Sequence, residues 1–87
     1  MELSAELSLY PLDGDVDTSV LAFIEDIVAS DSVSVVTNSM STQISGDWQA
    51  VMAAIDTALQ RSAERAGRQV LVAKFLPQHR VEVRPTG

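Results

Sequence analysis

The chain has 87 residues, no cysteine and a net charge of −6. Its length is sufficient for one domain with a modest core. The lack of cysteine excludes disulfides and thiolate sites, and a single histidine, His79, excludes a multi-histidine metal centre. We expect no nucleic-acid partner because the chain is acidic, and no membrane insertion because no apolar run is long enough to span a bilayer. A cytoplasmic protein is therefore expected.

The first predicted element is a strand over residues 3–12, in which apolar and polar side chains alternate. Pro11 has no N–H to donate to a ladder, so the strand is expected to end there. One face should lie in the core and the other should remain available to solvent, a partner or a ligand. The core set is Leu3, Ala5, Leu7 and Leu9, and the polar set is Glu2, Ser4, Glu6, Ser8 and Tyr10.

A helix follows the turn at residues 13–15, and Asp17, Thr18 or Ser19 is expected to be its N-cap. Its end is predicted near Ser30. Apolar residues at helical spacing predict the buried face, and these are Val20, Leu21, Phe23, Ile24, Ile27 and Val28.

The second half of the chain repeats the pattern of strands and a helix. Side chains alternate in character along residues 32–37 and along residues 40–45, which predicts two strands joined as a hairpin. Asp47 then caps a second helix, and Gly67 stands where a left-handed C-cap residue is preferred. A last strand over residues 69–76 ends before Pro77.

This order, βαββαβ, predicts an α+β ferredoxin-like sandwich. It has a four-stranded antiparallel sheet of strand order 4-1-3-2, with both helices on one face. Residues 1–77 are predicted to form the domain. The tail over 78–87 would add an edge strand, wrap a neighbouring chain or fray.

The open face of this sheet is the candidate functional surface, because its central strands carry hydroxyl, amide and carboxyl groups. Such groups suit a flat heterocyclic ligand, and Tyr10 or Phe75 would stack on its ring. Two other interpretations are open: a solvated or self-pairing polar face without ligand, and a small enzyme with Glu6 as base. No second titrating group supports Glu6 in catalysis, so an enzyme is not expected.

Two segments carry a resemblance to a known family. Residues 8–12 read SLYPL, and residues 38–47 read NSMSTQISGD. Together they resemble the YkoF-type thiamine/hydroxymethylpyrimidine-binding family, and the likeness covers residues 3–76. The resemblance implies a ferredoxin-like domain, sheets that pack together in a homodimer or higher homo-oligomer, and a non-catalytic role in thiamine precursor salvage or transport.

The predicted ligand is thiamine or its hydroxymethylpyrimidine moiety, with no further cofactor and no metal. Its predicted binding residues come from the two motifs, strand parity and the last strand. They are Glu6, Ser8, Tyr10, Asn38, Ser39, Ser41, Thr42, Gln43 and Phe75. The main rival is a structural assembly domain whose sheet faces pair without ligand.

Overall fold

The computed structural model describes residues 1–38 and 41–79 of the chain. The elements are β1 (Glu2–Pro11), α1 (Val16–Val28), β2 (Val33–Thr37), β3 (Thr42–Asp47), α2 (Trp48–Ala66) and β4 (Gln69–Pro77). The four strands form one antiparallel sheet in the order β2-β3-β1-β4. Read from the other edge, this is the predicted order, so the ferredoxin-like α+β prediction is confirmed.

The parity predicted for β1 is also confirmed. Its odd-numbered apolar residues are buried, and Leu7 is only 2% exposed. Leu7 pairs with Thr42 of β3 on one side and with Ala73 of β4 on the other, so it lies at the centre of the sheet. The core continues into the two helices. Its buried members are Leu3, Ala5, Leu7, Leu9, Phe23, Ile27, Ile44, Val51, Ala54, Ile55 and Ala58.

The start of α1 differs from the prediction. Asp15 is the N-cap, and its Oδ1 accepts the Thr18 backbone N–H at 2.8 Å. The expectation of a cap at Asp17, Thr18 or Ser19 is therefore wrong. The buried face of α1 is centred on Ser19, Phe23 and Ile27, four residues apart, so Leu21 and Val28, predicted to be inside, lie more than half exposed.

The ends of α2 follow the prediction more closely. Asp47 precedes the helix as its N-cap residue, although its side chain makes no capping hydrogen bond and lies 3.5 Å from the chain's amino terminus. Gly67 ends the helix with a φ of +81°, a conformation that favours glycine.

The hairpin and the tail each include residues outside the described part of the chain. β3 begins at Thr42 rather than at Met40, and both Ser39 and Met40 lie outside the description. After Pro77 the chain turns back onto β1, where the Gln78 N–H donates to the Glu2 carbonyl at 2.8 Å. Residues 80–87 lie outside the description, so the division of the chain at 77 and the role of the tail stay predictions.

Candidate functional site

A cleft of about 210 Å³ opens at the end of the sheet where β1 finishes, and we call it the end cleft. One wall is β1, another is α1, and a third is the β2–β3 connection. Its lining is Leu7, Ser8, Leu9, Tyr10, Val20, Phe23, Ile24, Asn38, Ser41 and Thr42. None of these side chains carries a formal charge at neutral pH.

The end cleft lies beyond the described pairing of β1 with β3. The last described pair between β1 and β3 is Leu7 with Thr42, whereas β1 continues to pair with β4 as far as Pro11. In the described structure, β4 lies on one side of β1 over residues 8–11, and the end cleft with Asn38, Ser41 and Thr42 lies on the other side. Phe23, which is 2% exposed, belongs to both the core and the cleft lining.

Hydroxyl and amide groups border the opening. Asn38 and Ser41 close the turn between β2 and β3: the Asn38 N–H donates to the Ser41 carbonyl, and the Ser41 N–H donates to Asn38 Oδ1, both at 3.0 Å. The Thr42 hydroxyl lies 3.3 Å from that of Thr37. The amide oxygen of Asn38 thus positions Ser41 beside Ser8 and Tyr10.

The backbone of β1 also faces the end cleft. Successive residues of a strand direct their N–H and C=O groups to alternate sides. The Met1 carbonyl accepts from Trp48 on the β3 side, and the Glu2 carbonyl accepts from Gln78 on the β4 side. Odd-numbered residues therefore face β3, and this alternation directs the peptide groups of Leu9 towards the cleft.

Residues 12–17, which join the walls formed by β1 and α1 and include Asp13, Asp15 and Asp17, are called the acidic loop. Side-chain hydrogen bonds from the Arg68 guanidinium, supported by the Arg68 backbone N–H, hold the pKa of Asp13 below its ordinary value. The hydrogen bond from the Thr18 backbone N–H lowers the pKa of Asp15 in the same way. Asp17 follows in the first turn of α1. Asp13 and Asp15 are therefore anionic throughout the neutral range.

A second concavity, of about 260 Å³, lies on the open face of the sheet, and we call it the sheet-face depression. Glu6 and Lys74 form an ion pair across it, with Oε1 and Nζ 3.8 Å apart. At one end, the Ser4 hydroxyl donates to the His79 carbonyl at 2.7 Å and lies 2.9 Å from the Ser45 hydroxyl. Its lining is Ser4, Ala5, Glu6, Gln43, Lys74, Phe75, Leu76 and His79.

The structure divides the predicted site residues between these two places. The end cleft brings together Ser8, Tyr10, Asn38, Ser41 and Thr42. Glu6, Gln43 and Phe75 line the sheet-face depression instead. Ser39 lies outside the described residues. The nine residues thus do not form a single pocket at the middle of the sheet.

Phe75 requires a correction of its own. Phe75 borders the sheet-face depression between Lys74 and Leu76, but it pairs with Ala5, whose side chain is in the core. The Phe75 side chain therefore points to the helix-covered face, so the expectation that it stacks on a ring bound at the open face is wrong. Sequence reasoning also missed Val20, Phe23 and Ile24 as cleft residues, because their helical spacing marks them equally well as ordinary core.

Within residues 1–38 and 41–79, no three histidine, aspartate or glutamate side chains are grouped so that they would hold a metal ion. In this described part of the chain, neither helix combines the length and the apolar character needed to cross a membrane.

Comparison with known proteins identifies the family. The sequence profile of the thiamine-binding protein family matches residues 5–85, which is nearly the whole chain. The chain belongs to the thiamine-binding protein family. Both segments that carried the resemblance, residues 8–12 and 38–47, lie inside this match and on opposite walls of the end cleft. No curated protein matches the chain.

Solved structures show the same fold. A hypothetical protein of Methanocaldococcus jannascii is 28% identical, with a TM-score of 0.78 over 93% of this chain and 84% of that one. A Streptococcus pneumoniae protein is 20% identical, with a TM-score of 0.81 over 91% and 89%. A Thermotoga maritima protein described as a candidate thiamine biosynthesis/salvage protein is 16% identical, with a TM-score of 0.75 over 86% and 82%.

Proposed function

We propose that this member of the thiamine-binding family binds thiamine through its hydroxymethylpyrimidine moiety in the end cleft, without chemical change. The observation that carries the proposal is the meeting of the two family-like segments in one concavity. Ser8 and Tyr10 come from the first segment, and Asn38, Ser41 and Thr42 come from the second. We propose a role in the salvage or transport of thiamine precursors; the similar Thermotoga maritima protein is described as a candidate thiamine biosynthesis/salvage protein.

The shape and polarity of the end cleft support a pyrimidine ligand. Leu7, Leu9 and Phe23 form an apolar base, and hydroxyl groups border the opening. Small-molecule sites commonly combine an apolar pocket with a few fixed polar groups. Tyr10 is 55% exposed at the rim, so its ring is accessible to a flat heterocycle.

The β1 backbone supplies a complementary hydrogen-bonding pattern. An aminopyrimidine presents an amino donor next to a ring-nitrogen acceptor. A strand edge presents a carbonyl acceptor and an N–H donor from one residue, and Leu9 faces the cleft with both. We therefore assign Leu9 to ring recognition through its main chain, and Ser8, Ser41 and Thr42 to recognition through their hydroxyl groups.

Isothermal titration calorimetry with thiamine and with hydroxymethylpyrimidine tests this proposal. The decisive variant is Val20→Phe, which fills the end cleft from the α1 wall and is expected to abolish binding of both compounds. Its matched control is Val28→Phe at the far end of the same helix, which adds the same ring at a position 57% exposed and away from the cleft. Circular dichroism checks that both variants fold. Equal loss in both variants, or no heat from the wild-type protein, would contradict the proposal.

A structural role for the open face is compatible with this site. The side chains of Val70, Val72 and Leu76 form a row on that face, and each is about half exposed. Exposed apolar rows are typical of interfaces. We therefore propose that two copies pair through their sheets in a homo-oligomer. Sedimentation of Val72→Lys is expected to report a smaller species than the wild-type protein, and an unchanged species would contradict this assignment.

A further inference from the structure

We infer that the end cleft selects unphosphorylated thiamine compounds and rejects their phosphate esters. This inference rests on the proposed function, and it deepens that function by naming the class of ligand. It follows from the charges around the opening rather than from the pyrimidine contacts.

The lining of the cleft offers a phosphate no cationic partner. Its ten residues are neutral, and they include four polar side chains with hydroxyl groups, those of Ser8, Tyr10, Ser41 and Thr42. Proteins that bind phosphate esters generally place arginine, lysine or unoccupied helix N-terminal N–H groups on the phosphate. A phosphate monoester carries close to two negative charges at neutral pH, so it requires such partners.

The acidic loop places negative charge beside the same opening. Asp13 and Asp15 lie in the connection between β1 and α1, and Asp17 lies in the first turn of α1. Tyr10 and Val20, on either side of this segment, both line the cleft. A ligand that projects out of the cleft on this side therefore meets carboxylates. The positively charged thiazolium of thiamine is attracted by them, and a phosphate is repelled.

The two nearby features that would otherwise hold a phosphate are already engaged. Arg68 donates to Asp13 from its Nε and Nη2, at 3.2 Å in each case. The N-terminus of α1, a common anion site in other proteins, has the Asp15 carboxylate on the Thr18 N–H and Asp17 in its first turn. The protein's own carboxylates thus occupy the positions that an anionic ligand would use.

Calorimetry with thiamine, thiamine monophosphate and thiamine diphosphate, at one fixed ionic strength, tests this inference. Since exposed charge pairs each change an affinity by a few-fold, we expect the monophosphate to bind about tenfold more weakly than thiamine. The diphosphate is expected to bind more weakly still. A higher salt concentration should reduce the difference in affinity between thiamine and its phosphate esters, because salt screens the carboxylates.

A pair of double variants assigns the effect to the loop. Asp15→Asn with Asp17→Asn removes two charges, while asparagine remains a good N-cap. The ratio of the affinity for thiamine to the affinity for thiamine monophosphate is therefore expected to fall several-fold. Asp31→Asn with Asp56→Asn removes the same charge beyond the far end of α1 and on α2, and should leave the ratio unchanged. An equal change of this affinity ratio in both double variants would overturn the inference.

The two possible failures are distinguishable. If wild-type protein binds thiamine and both phosphate esters with equal affinity, selection against phosphate is wrong and the proposed function stands. If thiamine itself does not bind, the proposed function is wrong and this inference falls with it.

Discussion

The end cleft and the sheet-face depression are similar in size but differ in construction. The base of the end cleft is core, with Leu7 and Phe23 each 2% exposed, and its polar groups are neutral. The sheet-face depression lies on top of the sheet, and its charged groups pair with each other across it. A neutral ring with an apolar face fits the first better than the second. The comparison teaches that a polar sheet face need not be the binding surface, because a concavity with core residues at its base also forms beside the end of a strand.

The largest expected effect is on the free energy of unfolding, and it distinguishes the base of the end cleft from the open face. Leu7→Ala should lower the free energy of unfolding by about 2–5 kcal/mol, because it leaves a cavity where core and cleft meet. Leu76→Ala, at a position 54% exposed in the sheet-face depression, should change it by less than about 0.5 kcal/mol when the protein is dilute enough to be monomeric. Urea unfolding measures both. A loss below about 0.5 kcal/mol for Leu7→Ala would mean that β1 faces the opposite way.

The next largest expected effect is on thiamine affinity, which should differ between variants of the end cleft and variants of the sheet-face depression. Ser8→Ala removes a hydroxyl of the end cleft and is expected to weaken thiamine binding by about two- to tenfold, the range that one net hydrogen bond supports. Glu6→Ala removes a carboxylate of the sheet-face depression and is expected to change the affinity by less than about twofold. Titration calorimetry compares them. The reverse order would place the ligand on the open face.

A smaller stability effect belongs to the sheet-face depression alone. Ser4→Ala removes a hydroxyl that is 4% exposed and that donates to the His79 carbonyl, so it should cost about 1 kcal/mol of unfolding free energy. Ser34→Ala, on an exposed position of β2, is the matched control and should cost almost nothing. Thiamine affinity is expected to be unchanged in both variants, and a large loss in Ser4→Ala would connect the two sites.

The smallest effect is a pH dependence of stability at the acidic loop. The folded-state pKa of Asp13 is lowered, so its charged form favours folding. This contribution is fully present above the ordinary pKa of 3.8 and disappears as the pH falls through the lower folded value. Acid titration of the unfolding free energy should therefore be shallower below about pH 4 in Asp13→Asn than in the wild-type protein or in Asp31→Asn. Identical acid limbs would show that the Arg68 contact contributes nothing.

The sequence predicted the fold well where a pattern had one interpretation. β1 alternates strictly, so its parity and its core residues were predictable, and the strand–helix order left few topologies. β4 was harder because the run over residues 69–76 is apolar on both sides. Its register, and with it the orientation of Phe75, depends on pairing with β1, which no local pattern reveals.

The candidate site was predictable only in part, for a related reason. The two motif segments were recognisable in the sequence, but the cleft between them depends on where β3 begins and on which residues of α1 face it. The described part of β3 begins at Thr42, two residues later than the alternation suggested. Val20 and Ile24 of α1 also line the cleft, and their helical spacing does not distinguish a cleft wall from ordinary core.

The shared position of Phe23 and Leu7 limits how this protein can adapt to other ligands. Because the same side chains hold the two layers together, a larger pocket made at its base would weaken the whole domain. Diversification among relatives is therefore expected at the rim, on the first turns of α1 and in the short connection between β2 and β3, where substitutions are tolerated at low cost.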